Sequence, residues 1–256
     1  MNPMPMVPAK IVSVESIAKD TYIIKVLPTN NLSADPFNFF MVWIPRVDEI
    51  PLSVSFIEGE MLTFLVKIRG AGTKALASLK PGDFVGLKGP LGKSFIVIDN
   101  TKSILVLVGG IGIAPIPLFI QRSRYRKLDL VWGVKSEEEL FDLRKLFPFI
   151  GARCSVTIAT EDCSHGICGT VIDALKYVNA DRYDMVLAVG PKAMLRSICK
   201  HLGDDKVYVA LETMVKCGLG LCGSCYIRSS TKLLCVDGPV FRCSEVEAYI
   251  RSDPDS

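Results

Sequence analysis

The sequence has only two histidines in 256 residues, which leaves imidazole chemistry little to work with. His201 falls at the end of an expected helix, where a cation complements the dipole, and His165 falls in a loop at the expected ligand edge. No run of Lys or Arg occurs and the net charge is only +3, so a nucleic-acid surface is not expected. No internal repeat and no low-complexity segment is present, which excludes a repeat array. The N-terminus, MNPMPMVPAK, lacks a charged stretch followed by an apolar core, so no secretory signal is expected. A disulfide framework is then disfavoured in a chain this large. One apolar run, residues 103–120 (SILVLVGGIGIAPIPLFI), is long enough to imitate a membrane span. Its Gly-Gly-x-Gly and its prolines, Pro115 and Pro117, fit a buried parallel strand turning into a helix better. With 49% apolar and 22% charged residues, the composition is that of a globular, soluble, cytoplasmic protein without membrane segments.

Nine cysteines are present, and four of them form Cys217-x4-Cys222-x2-Cys225-x9-Cys235. The first three match the C-x4-C-x2-C run by which plant-type ferredoxins wrap a [2Fe–2S] cluster, with a fourth thiolate from further along. Gly218, Gly220 and Gly223 allow the loop to bring backbone N–H groups to the sulfurs. The alternative is a structural zinc site, but zinc ribbons pair two short C-x2-C knuckles and only Cys222 and Cys225 make one here. Cys163 and Cys168 are expected as free thiols, with a disulfide between them as the alternative, Cys154 and Cys199 as small core residues, and Cys243 as a spare thiol.

The remaining sequence divides into three expected regions: a β-barrel over residues 1–99, an α/β domain over 100–211 and a cysteine subdomain over 212–256. Short apolar runs at residues 10–16, 21–27, 40–44, 51–57, 61–68 and 83–88, punctuated by Gly, Pro, Asn and Asp, predict six antiparallel strands. Phe39, Phe40, Trp43 and Phe56 are expected in the barrel core. A short helix follows Gly70-x-Gly72, with Thr73 as its N-cap. From residue 101 strands alternate with glycine turns and helices, predicting a doubly wound parallel sheet of about five strands. Residues 113–124, 137–146, 170–178 and 191–202 are its expected helices. Ligands of such sheets bind at the carboxyl ends of the strands, here residues 109–112, 133–135, 160–166 and 190–191.

The order of several motifs carries a resemblance. A Pro51-Leu52-Ser53 strand, a Gly70-x-Gly72-Thr73 turn, a Gly-Pro-Leu-Gly turn at 89–92, Gly109-Gly110-Ile111-Gly112-Ile113-Ala114-Pro115 and Val189-Gly190-Pro191 resemble the ferredoxin–NADP reductase superfamily. With the cysteine segment closing on Cys235-Val-Asp-Gly-Pro-Val-Phe241, the chain is most similar to electron-transfer subunits of B-type, NAD-linked dihydroorotate dehydrogenases.

That resemblance implies FAD on the barrel, NAD(H) on the α/β domain, and a [2Fe–2S] cluster on Cys217, Cys222, Cys225 and Cys235. It implies an FMN-containing catalytic subunit as partner in a heterotetramer of two plus two, in pyrimidine synthesis. Pro51, Leu52 and Ser53 would contact the flavin and its phosphates, Leu65, Val66 and Lys67 its ring and ribityl side, and Gly72 and Thr73 its pyrophosphate. Gly110, Gly112 and Pro191 would border the nicotinamide nucleotide. No catalytic side chain is assigned, since hydride transfer is the cofactors' chemistry. The superfamily's flavin motif begins with Arg where this chain has Ile50, which leaves the phosphates to backbone N–H groups, Lys67 or Lys74. Glu161 and Asp162 at a strand end favour NADH over NADPH. Two other functions stay open: a related reductase subunit serving ferredoxin, a hydrogenase or a sulfide dehydrogenase, and a non-redox zinc-binding module.

Overall fold

The computed structural model describes residues 5–203, 206–228 and 230–252, so the first four residues of the stretch in which no secretory signal is expected lie outside the described residues. The first sheet is formed by β1 (Val7–Ala18), β2 (Thr21–Pro28), β3 (Phe39–Ile44), β4 (Asp48–Ser53), β5 (Phe56–Glu58), β6 (Met61–Lys67) and β7 (Phe84–Leu91). They lie in the order β4-β3-β7-β1-β2-β6-β5, all antiparallel. Period-2 alternation sets the inward face: Val7, Ala9 and Ile11 of β1 are buried while Pro8, Lys10 and Val12 are not. The sheet curls into a barrel, and the β4–β5 link closes it: Val54 N–H donates to Asn38 O and Ser55 N–H to Thr63 O. Ile24, Phe40, Leu62 and Phe64 fill the interior. The expected strand at 51–57 is thus two, broken where the chain crosses between β3 and β6.

Helix α1 (Ala71–Ala77) links β6 to β7. Gly70 is its N-cap, and Thr73 sits one turn in, its Oγ1 accepting from the Arg69 and Gly70 amides at 2.9 and 3.1 Å. This corrects the expectation that Thr73 caps the helix.

The second sheet contains β8 (Ile98–Gly109), β9 (Arg124–Val134), β10 (Ser155–Thr160), β11 (Ile167–Cys168), β12 (Met185–Val189), β13 (Val207–Ala210) and β14 (Val240–Arg242). In the order β11-β10-β9-β8-β12-β13-β14, all neighbours are parallel except β13 and β14. Two strands were not foreseen: the two-residue β11, and β14, which the chain contributes after the cysteine segment. Helices α2 (Ile116–Arg122), α3 (Leu143–Leu146), α4 (Phe149–Arg153), α5 (Val171–Ala174), α6 (Lys192–Leu202), α7 (Leu234–Asp237) and α8 (Cys243–Arg251) complete the architecture. Ile104, Val106 and Val108 pack with Phe119 and Ile120 of α2, whereas Leu105 and Leu107 pack with Leu195 and Ile198 of α6. Both faces of β8 are covered, so the strand is apolar throughout, and each fully buried side chain contributes about 1.5–3 kcal/mol. The run at 103–120 is therefore the sheet centre and one short helix, and no helix among the described residues is long and apolar enough to cross a membrane.

Candidate functional site

The barrel presents β4 and β6 to the carboxyl end of the parallel sheet, and a cavity of about 280 Å³ opens between them. Pro51, Leu52, Ser53, Leu65, Val66, Lys67 and Thr73 all line it, together with Gly112. The structure thus assembles one wall from most of the residues singled out for the flavin. Ile50 and Gly72 are not on that wall. They face each other, and a Cβ on Gly72 would lie 2.8 Å from Ile50 Cγ2. Beside Lys67, the cation that lines the cavity is Arg69, which sequence reasoning overlooked; Lys74 does not line it. Its signal was its place just before the Gly-x-Gly-Thr turn. The remaining wall comes from the cysteine segment through Thr213, Val215 and Leu234. Phe39 lines this cavity rather than the barrel interior, and Trp43 is 44% exposed, both correcting the expected core assignment. On β3 it is Phe40, Val42 and Ile44 that point inward.

A second cavity, about 620 Å³, lies at the strand ends. Gly109, Gly110 and Ile111 line it with Lys135, Glu161, Pro191 and Met194. Gly110 takes φ +53°, a conformation that glycine adopts without strain. Its carbonyl accepts from the indole Nε1 of buried Trp132 at 3.0 Å, and Phe141 packs edge-on against that indole. Gly112 must be glycine for a different reason: a Cβ there would lie 2.5 Å from Val189 O. Lys67, Arg69 and Ile111 belong to the walls of both cavities, so the two spaces adjoin. Glu161 reaches the second cavity, while Asp162 is turned to Ser164, whose amide and hydroxyl donate to it at 3.0 and 2.6 Å and hold its carboxyl below the usual range. His165 is tied through its backbone to Thr160 Oγ1, and His201 lies in the last turn of α6, as expected.

The cysteine loop leaves β13 and returns as β14. Gly218, Gly220 and Gly223 all have positive φ, between +71° and +75°, which lets the loop curl around its thiols. Leu219 N–H donates to Cys217 Sγ at 3.3 Å. Cys225 and Cys235 are buried, with their sulfurs 3.3 Å apart. Burial, then the Cys225 thiol, pushes Cys235 up to about 12. Cys222 is exposed and lowered to about 6, first by the Ser224 hydroxyl and amide and then by Cys217. Cys225 and Cys235 thus stand in direct contact, and Cys217 is close enough to act on both Cys222 and Cys235. Among the described residues no three His, Cys, Asp or Glu side chains are disposed to hold a single metal ion. Four thiols on one glycine-rich loop at the C-x4-C-x2-C spacing, with a fourth Cys from further along, are the donor set that a [2Fe–2S] cluster takes.

The other cysteines require corrections. Cys163 and Cys168, expected free, are joined in a disulfide across the loop that links β10 to β11, with Cα atoms 4.2 Å apart. Cys199 of α6 is a buried core residue as expected, but it is joined to Cys243 of α8, expected as a spare thiol, with Cα atoms 6.1 Å apart, because the two helices pack together. Cys154 is free and buried as expected, at the end of α4 rather than in β10, and burial pushes its thiol up to about 11.

Comparisons with known proteins agree with this geometry. Residues 212–247 match the iron–sulfur cluster binding domain of dihydroorotate dehydrogenase B. A probable dihydroorotate dehydrogenase B (NAD+) electron transfer subunit from Archaeoglobus fulgidus is 36% identical over 222 residues, covering 84% of this chain and 89% of the relative. Its counterpart from Pyrococcus furiosus is 35% identical, covering 83% and 81%. Among solved structures, an NADH-dependent reduced ferredoxin–NADP oxidoreductase studied for flavin-based electron bifurcation superposes with TM-score 0.80 and 26% identity, covering 100% of this chain and 96% of that one. A ferredoxin–NADP+ reductase from Neisseria gonorrhoeae with bound FAD and NADP shares the fold, with TM-score 0.68 and 15% identity over 80% of this chain and 97% of that one. The chain belongs to the family of electron transfer subunits of dihydroorotate dehydrogenase B (NAD+).

Proposed function

We propose that this chain carries electrons between an FMN-containing dihydroorotate dehydrogenase subunit and NAD+, in a cytoplasmic heterotetramer of two plus two serving pyrimidine synthesis. The observation that carries this reading is the sharing of walls: the first cavity borders the second through Lys67, Arg69 and Ile111, and borders the cysteine segment through Val215 and Leu234. The first cavity would hold FAD, the second NAD(H) and the four loop cysteines a [2Fe–2S] cluster; when bound, these groups would supply hydride exchange and single-electron transfer. Within this reading, residues 1–99, 100–211 and 212–256 are the flavin, nucleotide and cluster regions.

The chain's own residues bind and orient. Pro51, Leu52, Ser53, Leu65 and Val66 hold the flavin, Arg69 and Thr73 offer it charge and hydrogen bonds, and Lys67 borders it from the seam with the second cavity, its ammonium paired with Glu139. Ile50 braces Gly72 from outside the cavity, and Gly72 shapes the turn that presents Thr73. Trp132 fixes the Gly110 turn, Gly110 and Pro191 border the seat for the dinucleotide, and Gly112, expected there too, lines the first cavity and lets the turn pack against Val189. Glu161 on that wall disfavours a second ribose phosphate, so NADH is the preferred carrier. Cys217, Cys222, Cys225 and Cys235 ligate the cluster.

An anaerobic visible spectrum of the purified protein tests this. Flavin and [2Fe–2S] bands that bleach on adding NADH are expected, and a colourless zinc protein would overturn the reading. The full-length superposition on the reduced ferredoxin–NADP oxidoreductase favours one second reading, a subunit serving ferredoxin. Electron delivery from dihydroorotate, through a co-purified FMN subunit, to NAD+ separates the two.

A further inference from the structure

A turn of three glutamates, Glu137–Glu139, lies between the barrel and the parallel sheet. Glu138 faces the barrel's β1–β2 turn: its carbonyl accepts from Lys19 N–H at 2.9 Å and its carboxylate pairs with Lys19 Nζ. That pair is exposed. The neighbouring pair is different. Lys67 Nζ lies 2.8 Å from Glu139 Oε1, with the two side chains only 23% and 16% exposed. Lys67 lines both cavities, whereas Glu139 lines the second and not the first. The charge that any phosphate in the second cavity would seek is therefore already held by a carboxylate on the same wall.

We infer that Glu139 is a positioning residue that sets nucleotide affinity by competing with the dinucleotide phosphates for Lys67. This rests on the proposed reading of the second cavity as the NAD(H) site. An ammonium has three donors and no fixed plane, so Lys67 can turn from carboxylate to phosphate without leaving the seam. The other cations on this wall do not duplicate it: Arg69 is drawn to Glu212 at 3.6 Å, both 60% exposed, and Lys135 is exposed. The exchange has a use. A carrier that must both load and release its nucleotide needs moderate affinity, and a built-in competitor supplies it without distorting the seat. The competitor sits on the arm of residues 137–141, whose Phe141 packs on the Trp132 indole that holds the Gly110 turn. Lys67 and the glycine turn are therefore fixed by one segment.

Glu139→Gln keeps the shape and removes the charge. In the FAD-loaded protein, calorimetric titration with NAD+ is expected to show about fivefold tighter binding, the change that a pair worth about 1 kcal/mol corresponds to. The released Lys67 also makes binding more salt-sensitive, because one more protein cation faces the phosphates. In a Lys67→Gln background the same Glu139→Gln change is expected to gain less than about twofold. Unchanged or weaker NAD+ binding in Glu139→Gln overturns the inference, as does a full gain that survives in the Lys67→Gln background. Failure of the unsubstituted protein to bind NAD+ at all would overturn the reading beneath it as well.

Discussion

Alanine substitution at the two glycines of the first strand-to-helix turn separates two physical costs. At Gly112 a new Cβ would lie 2.5 Å from Val189 O, 2.9 Å from Val189 C and 3.2 Å from Gly190 N. All three are backbone atoms at the end of β12, a strand paired on both sides by β8 and β13, so they cannot retreat as a flexible side chain would. Overpacking against rigid backbone costs about 1–3 kcal/mol, and this site belongs at the upper end. At Gly110 a Cβ meets nothing within 4 Å, but φ is +53°, so only the left-handed conformation is penalised, by about 1–2 kcal/mol. For a chain of this size, Gly112→Ala should lower the melting temperature by about 5–10 °C and Gly110→Ala by about 2–5 °C. Because Gly112 is wedged against the Val189–Gly190 backbone, its displacement also moves the turn away from Pro191, and NAD+ affinity should fall at least about tenfold. Differential scanning fluorimetry and calorimetric titration of the FAD-loaded variants measure both effects. A Gly112→Ala protein as stable as the unsubstituted one, with undiminished NAD+ binding, would refute the reasoning.

Trp132→Phe keeps the ring against Phe141 but removes the donor to Gly110 O, so a loss of about 1–2 kcal/mol in chemical denaturation is expected, together with weaker NAD+ binding. Arg69→Ala should release flavin on gel filtration, with FAD affinity down about tenfold, and adding Ile50→Arg should not restore it, because position 50 faces Gly72 and not the cavity. Alkylation and mass mapping of the denatured, cluster-free, unreduced chain should mark Cys154, Cys217, Cys222, Cys225 and Cys235 and spare the other four; labelling of all nine would refute both disulfides. In the folded protein Cys154 should resist iodoacetamide at about pH 8, since a thiol raised to about 11 stays protonated below that pH and only the thiolate reacts.

Features written in neighbouring residues were legible in the sequence. The cysteine spacing, the Pro51-Leu52-Ser53 edge and the Gly109–Gly112 turn are such features, and each stands at a wall or loop of the assembled site. What depends on distant parts of the chain was not legible. Val215 and Leu234 reach the first cavity only because β14 returns beside β13, and Glu139 meets Lys67 only across the seam between the sheets. Disulfide pairing could not be read from spacing either: Cys199 and Cys243 are 44 residues apart and meet through helix packing. Residues 137–146 were expected to form one helix, but Asp142 accepts from the Arg144 and Lys145 amides at 2.9 and 3.1 Å and starts a new turn. That side chain offers the backbone an alternative to continuing the helix.

The placement of the cysteine loop follows from how its two ends are anchored. The chain leaves β13 at Ala210, and Leu211, Thr213 and Val215 line the first cavity before the first cysteine is reached. It returns through α7, where Leu234 faces the same cavity and Cys235 lies next to it in sequence, and then pairs as β14, Val209 with Phe241 and Ala210 with Val240. The loop is therefore a long excursion from one antiparallel ladder, and a one-residue slip in that ladder would turn buried Phe241 to the opposite face. Its inner side is fixed independently: Cys225, Ile227 and Cys235 share a buried cluster with Val186 and Val209 of the sheet and with Phe39, Met41 and Leu91 of the barrel. The barrel backbone also reaches the loop directly, Gly92 N–H donating to Cys235 O at 3.2 Å. Any motion that separated the cysteines from the first cavity would have to break the ladder, open this core and lose that hydrogen bond together. The buried thiol pair is thus held at a set distance from the cavity wall, the condition that electron transfer between a bound flavin and a bound cluster requires, while Cys222 at the outer end of the loop is exposed.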